Sequence, residues 1–132
     1  MSRKEGRARR LAVGEAEFRW SVLHRHEARG EGRYEDCRQV VVIRRSGRPG
    51  CLRVVFRAAP GRYVPGGATT ASGTVGVVGG AALNLHEPGT ARALLDEALA
   101  RGWRPEGSVA EEADGWALFG AVAARRGAKP EC

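Results

Sequence analysis

The chain has 132 residues, with 22 lysines and arginines against 15 aspartates and glutamates, and a formal net charge of +7 at pH 7. That length accommodates one domain around one core, and no repeat of the solenoid kind is visible. No apolar run approaches the roughly 20 residues that span a bilayer, and the basic N-terminus is not followed by a signal-like apolar stretch, so a soluble, cytoplasmic protein without membrane association is expected.

In chain order, residues 1–10 carry five basic side chains and one acidic one and read as a disordered basic tail. From Ala16 to Val22, apolar Ala16, Phe18, Trp20 and Val22 alternate with Glu17, Arg19 and Ser21, the period of a half-buried strand. Val40 to Ile43 is a continuous β-branched run, as a central strand requires. After the turn signal Ser46 to Gly50, Leu52, Val54 and Phe56 alternate with Arg53 and Arg57, so the two runs read as a hairpin. Cys37 and Cys51 flank that hairpin, which would let them approach one another. Three cysteines without CxxC spacing, the third being Cys132, fit free thiols better than a disulfide framework or zinc knuckle.

Gly61 to Gly80 is glycine-rich, but it holds neither GxxxxGK[ST] nor GxGxxG and has no lysine for a phosphate loop. It reads as a long hairpin or loop covering a sheet edge rather than a ligand lid, with Gly73 to Val78 a weaker strand candidate. Its hydroxyls Thr69, Thr70, Ser72 and Thr74 have no histidine in local register to activate them, so no catalytic residue is assigned.

The strongest local signal is Asn84 to Pro105. Ala91, Leu94, Leu95, Ala98 and Leu99 fall at i, i+3, i+4, i+7 and i+8, one buried helical stripe. Pro88 suits the first turn, Glu87 stands beside the positive helix end, and Thr90 offers an alternative cap. Arg92 with Asp96, and Glu97 with Arg101, are spaced for supporting ion pairs. Gly102, Trp103 and Pro105 supply the stop. The helix is therefore expected over about 88–101. Beyond the turn signal Asp114-Gly115, the alternation of Trp116, Leu118, Gly120 and Val122 predicts a closing strand, although Ala117 to Ala124 is also compatible with a helix. Residues 125–132 read as a second disordered tail.

These elements predict an α+β domain over residues 11–124: a single antiparallel sheet of about five strands with one main helix packed on one face. Charge within the domain is polarised. Residues 19–62 hold eleven arginines against four acids, and residues 87–114 hold three against seven. If the helix covers the apolar face, Arg19, Arg25, Arg53 and Arg57 lie on the other, an arginine surface suited to bidentate contacts with an anion or acidic partner.

His24 and His26, two apart on the first long strand, project to one side and offer half of a metal site. Solvated histidines at a strand terminus are the favoured alternative. HRHEARGE, from His24 to Glu31, is similar to the first metal-binding motif of cupins, although Phe18 and Arg38 stand where the framing glycines would fall. That resemblance implies a ligand set of His24, His26 and Glu31, which His86 completes only if the helix start lies near the strand end. The strand-rich first half, the VPGG-type loop and the Gly-Trp-x-Pro helix ending at Pro105 also make the chain resemble small α+β proteins of high-GC actinobacteria. That group implies fold and cytoplasmic origin and lends no activity.

Three function classes follow. The first is an interaction or accessory module of immunity-protein type, with the arginine face against an acidic protein partner. The second is a nucleic-acid-associated protein, and the third a small metal-dependent enzyme or sensor. No cofactor motif is present. Near-exclusive use of arginine over lysine, with only Lys4 and Lys129, reflects GC-rich coding as much as function.

Overall fold

The computed structural model describes residues 8–28, 34–64 and 73–127. In chain order they form β1 (Arg9–Val13), β2 (Ala16–Ala28), β3 (Tyr34–Arg45), β4 (Cys51–Arg57), β5 (Arg62–Tyr63), β6 (Thr74–Val77), β7 (Ala82–Asn84), α1 (Pro88–Ala100), β8 (Ala110–Asp114) and α2 (Gly115–Arg125). The main sheet has the order β1-β2-β3-β4-β8, and β5-β6-β7 form a second, smaller sheet.

Strands β1 to β4 are an antiparallel meander, as the alternating patterns and the turn at Ser46 to Gly50 require. The sheet is nevertheless mixed. Strand β8 runs parallel to β4, pairing Cys51 with Ala110 and Val55 with Asp114. Parallel neighbours need a long crossover, and here it carries the small sheet and α1. The acidic β8, AEEAD, has too little apolar alternation to announce itself as a strand.

The expected closing strand is a helix, so two helices cover the sheet rather than one. The residue pair read as a turn is its start: Asp114 is the N-cap, and its Oδ1 accepts a hydrogen bond from the backbone N–H of Trp116 at 2.9 Å. Buried Trp116, Phe119, Val122 and Ala123 then follow the helical period, which overrides the alternation seen when only every second residue is read.

Helix α1 follows its sequence signals closely, with one exception. Pro88 opens it, Glu87 is the N-cap, and no side chain caps the first turn; Thr90 is instead buried against the core. At the other end Gly102 adopts φ +106°, the left-handed region glycine favours, while Trp103 N–H donates to Ala98 O at 3.0 Å and Gly102 N–H to Leu99 O at 3.1 Å. These two bonds form a Schellman stop and seat Trp103 in the core.

One core joins the layers. Trp20, Ile43, Val54 and Phe56 on the sheet meet Leu94 and Leu95 of α1, and Trp116 and Val122 of α2. Phe56 and Trp116 pack edge to face, with centroids 5.2 Å apart at 89°. Residues 65–72 of the glycine-rich stretch lie outside the described residues, and Thr74 to Val77 within it is β6.

The hairpin register separates the two cysteines that flank it. Arg38 pairs with Arg57 at one end and Ile43 with Leu52 at the other, so Cys37 and Cys51 lie at opposite ends of the ladder. About six strand residues, roughly 20 Å, exceed the reach of a disulfide. Cys51 is a free, half-buried thiol, and Cys132 lies outside the described residues.

Candidate functional site

Pairing registers divide the main sheet into two chemically distinct faces. On the face covered by the helices, Trp20 pairs with Ile43, Val41 with Val54, and Gln39 with Phe56. Every position one residue away points outward. Arg10 of β1 stands opposite Arg19 of β2, which stands opposite Arg44 of β3. Six residues along the strands, Arg25 of β2 stands opposite Arg38, which stands opposite Arg57 of β4. Arg53 lies between the rows, paired with Val42 on one side and Glu112 on the other. Arg19, Arg25, Arg53 and Arg57 thus share one outer face.

The structure adds Arg10, Arg38 and Arg44 to that set. Arg38 and Arg44 were hidden because Val40 to Ile43 is apolar on both faces, so the run carries no parity from which to orient its neighbours. Arg10 falls in the segment expected to be a tail. Between the arginine rows lie Val40 and Val55, 1% and 5% exposed, so the outer face has a valine stripe closed to water between two cationic bands. Arginine stems are long enough to lie along such a stripe while their guanidiniums reach solvent.

Among the described residues, Glu17 and Glu112 pair with arginines of this face. Glu17 receives Arg10 Nη2 at 3.4 Å and Arg19 Nη2 at 3.5 Å, and it accepts the Ser46 hydroxyl at 3.2 Å. Arg57 approaches Glu112 at 3.9 Å. Arg25, Arg44 and Arg53 make no ion pair or side-chain hydrogen bond among the described residues. Along β8, Glu111, Glu112 and Asp114 make an acidic border to the basic field.

Two depressions open beside this face. One, of about 280 Å³, is lined by Ala8, Arg19, Trp20, Ser21, Val42 and Arg44. The other, of about 520 Å³, sits at the carboxyl ends of the parallel strands β4 and β8, among Arg57, Arg62, Glu112, Asp114 and Trp116. There the Trp116 indole N–H donates to Arg57 O at 2.7 Å, and the Arg62 guanidinium lies 5.3 Å from the Trp116 ring centroid.

The residues suggested as metal ligands are distributed differently. His24 lies on the face covered by the helices, where its Nδ1 is 2.6 Å from Gln39 Nε2. His26 is in β2, where the register against β3 shifts between Arg25 and Glu27. Glu31 lies outside the described residues. His86 is in the turn before α1, its N–H donating to Asn84 Oδ1 at 2.9 Å and its carbonyl accepting from Arg9 Nη1 at 2.8 Å. Among the described residues no three histidine, cysteine, aspartate or glutamate side chains gather as a metal-ligand set. Among the same residues, no helix is long and apolar enough to cross a membrane.

Comparison with known protein families, with curated proteins and with solved structures finds no match for this chain.

Proposed function

We propose that the chain is a cytoplasmic interaction module, of accessory or immunity-protein type, whose outer sheet face binds an acidic protein partner. One observation carries the reading: arginines are paired directly with arginines across neighbouring strands, in two rows, on an exposed face. Like charges placed opposite one another destabilise a sheet by a few tenths of a kcal/mol to about 1 kcal/mol per pair. A fold that needed only stability would alternate their sign. An anionic partner turns the same repulsion into complementarity and faster association.

A protein suits the face better than a nucleic acid. None of the outward residues named above is aromatic, and Phe18 and Trp20 are buried on the other side, so these residues offer no stacking platform of the kind that single strands use. A phosphate backbone crossing the strands would also meet Glu112 and Asp114 at the β8 border, whereas a folded partner can match a field of mixed sign.

The test compares the wild-type chain with Arg25→Glu/Arg53→Glu in co-purification from nuclease-treated native extract, followed by rebinding of the identified partner at increasing salt. The expected result is an acidic protein that survives nuclease treatment, is lost from the variant, and binds more weakly as salt rises. Equal retention by the variant overturns the proposal, as does a single-stranded oligonucleotide that binds tightly with a steep salt slope.

A further inference from the structure

We propose that the corner of the outer face formed by Arg19, Ser21 and Arg44 is a phosphate site that takes a phosphorylated side chain of the partner; this rests on the outer face being the partner surface. Arg19 and Arg44 are direct cross-strand neighbours, and both line the depression of about 280 Å³ that opens over Ser21. Their Cα atoms are therefore separated by about 5 Å, while each guanidinium sits on a long stem, so both can converge on one tetrahedral anion.

Donor supply and charge both select phosphate over carboxylate. Two guanidinium forks and the Ser21 hydroxyl, which makes no hydrogen bond among the described residues, offer more donors than one carboxylate can accept. A phosphate monoester presents three strong acceptor oxygens and carries about −1.5 to −2 charges near neutral pH. Among the described residues the row holds Arg10, Arg19 and Arg44 with Glu17 as their ion-pair partner, a balance of two positive charges that one dianion neutralises. Glu17 also steadies Arg10 and Arg19 from one side while accepting the Ser46 hydroxyl, whereas Arg44 makes no ion pair among the described residues. In the opposite row Arg57 approaches Glu112 at 3.9 Å.

Isothermal titration of the full chain at fixed ionic strength tests the site with four probes. These are an Ala/Gly hexapeptide carrying one phosphoserine, the same peptide with serine, inorganic phosphate, and a single-stranded oligonucleotide. The phosphopeptide should bind at least about tenfold more tightly than the serine peptide, as expected for charge-assisted bidentate contacts. Arg44→Gln should remove most of that difference, and Ser21→Ala part of it. Arg92→Gln, which deletes the same charge on α1, should leave it intact. Equal binding of the two peptides overturns the inference, as do equal losses in Arg44→Gln and Arg92→Gln. Inorganic phosphate binding as tightly as the phosphopeptide overturns the assignment to a partner side chain in favour of a free phosphate compound. Tighter oligonucleotide binding that Arg25→Gln weakens as much as Arg44→Gln overturns it in favour of a phosphate backbone read along the whole face. If the phosphopeptide fails while the charge-reversed double variant still loses its protein partner, this inference falls and the interaction surface stands.

Discussion

The carboxylate of Asp114 accepts the backbone N–H of Trp116 at 2.9 Å, and that single contact turns the end of a parallel strand into the start of a helix. It places the Trp116 ring against Phe56 and its indole N–H on Arg57 O, locking the last helix to β4. Replacing Asp114 with alanine should cost about 1 kcal/mol, with a loss of about 4 °C in Tm for a chain of 132 residues. Asparagine at the same position should recover most of it, because its side-chain oxygen accepts the same bond. Thermal unfolding of both variants by circular dichroism is the check, and equal losses would contradict the capping role.

Gly115 tests the same junction by crowding. A Cβ there would lie 2.6 Å from three ring atoms of Phe56, a residue fully excluded from solvent. Alanine improves helix propensity by at most about 1 kcal/mol, and less at a first helical position, whereas overpacking a core aromatic costs about 1–3 kcal/mol. Crowding therefore wins. Gly115→Ala should unfold at lower denaturant concentration, and an unchanged midpoint would show that α2 can shift away from the sheet at little cost.

Between the helices, Glu97 bonds Arg101 at 2.8 Å and Arg125 of α2 at 3.1 Å. The hydrogen bond from Arg101, then that from Arg125, holds its carboxyl below the ordinary glutamate pKa. A group whose folded-state pKa is depressed contributes stability above its unfolded pKa and loses it as pH falls through the folded one. The contribution should thus be present at neutral pH and disappear in the acid range below the ordinary glutamate pKa. Denaturant unfolding of Glu97→Gln against pH should show a smaller drop in stability on acidification than the wild type, with the two curves converging at the acid end.

Arg44 should be a position where binding is held at the expense of stability. Replacing it with threonine removes a like-charge neighbour of Arg19 and installs a β-branched residue on a strand, so the domain should gain roughly 0.2–1 kcal/mol while anion binding weakens. Calorimetric unfolding beside the phosphopeptide titration reads both. A variant that is less stable would mean that the Arg44 stem contributes packing that outweighs the relieved repulsion.

Much of the architecture is written locally. Phe18 and Trp20 announce the inner face of β2 by alternation, Pro88 and Gly102 bracket α1, and Ser46 to Gly50 closes the hairpin. Each depends on neighbours within a few residues, which is the range over which strand pleat, proline geometry and left-handed glycine act. Asp114 and Gly115 show the limit of that range, because an acidic residue before glycine suits a turn and a helix cap alike, and the choice fell to Phe56 and Arg57 nearly sixty residues earlier.

Composition and alternation alone determined a small α+β domain with one amphipathic helix and an arginine-bearing face at Arg19, Arg25, Arg53 and Arg57. Only the tertiary structure decided that β8 adds in parallel beside β4, that Arg10, Arg38 and Arg44 complete two rows, and that His24 turns inward to Gln39. The physical reason is register. A strand's own sequence sets which residues share a side, but which side chains become neighbours depends on how distant strands slide past one another before the core locks them.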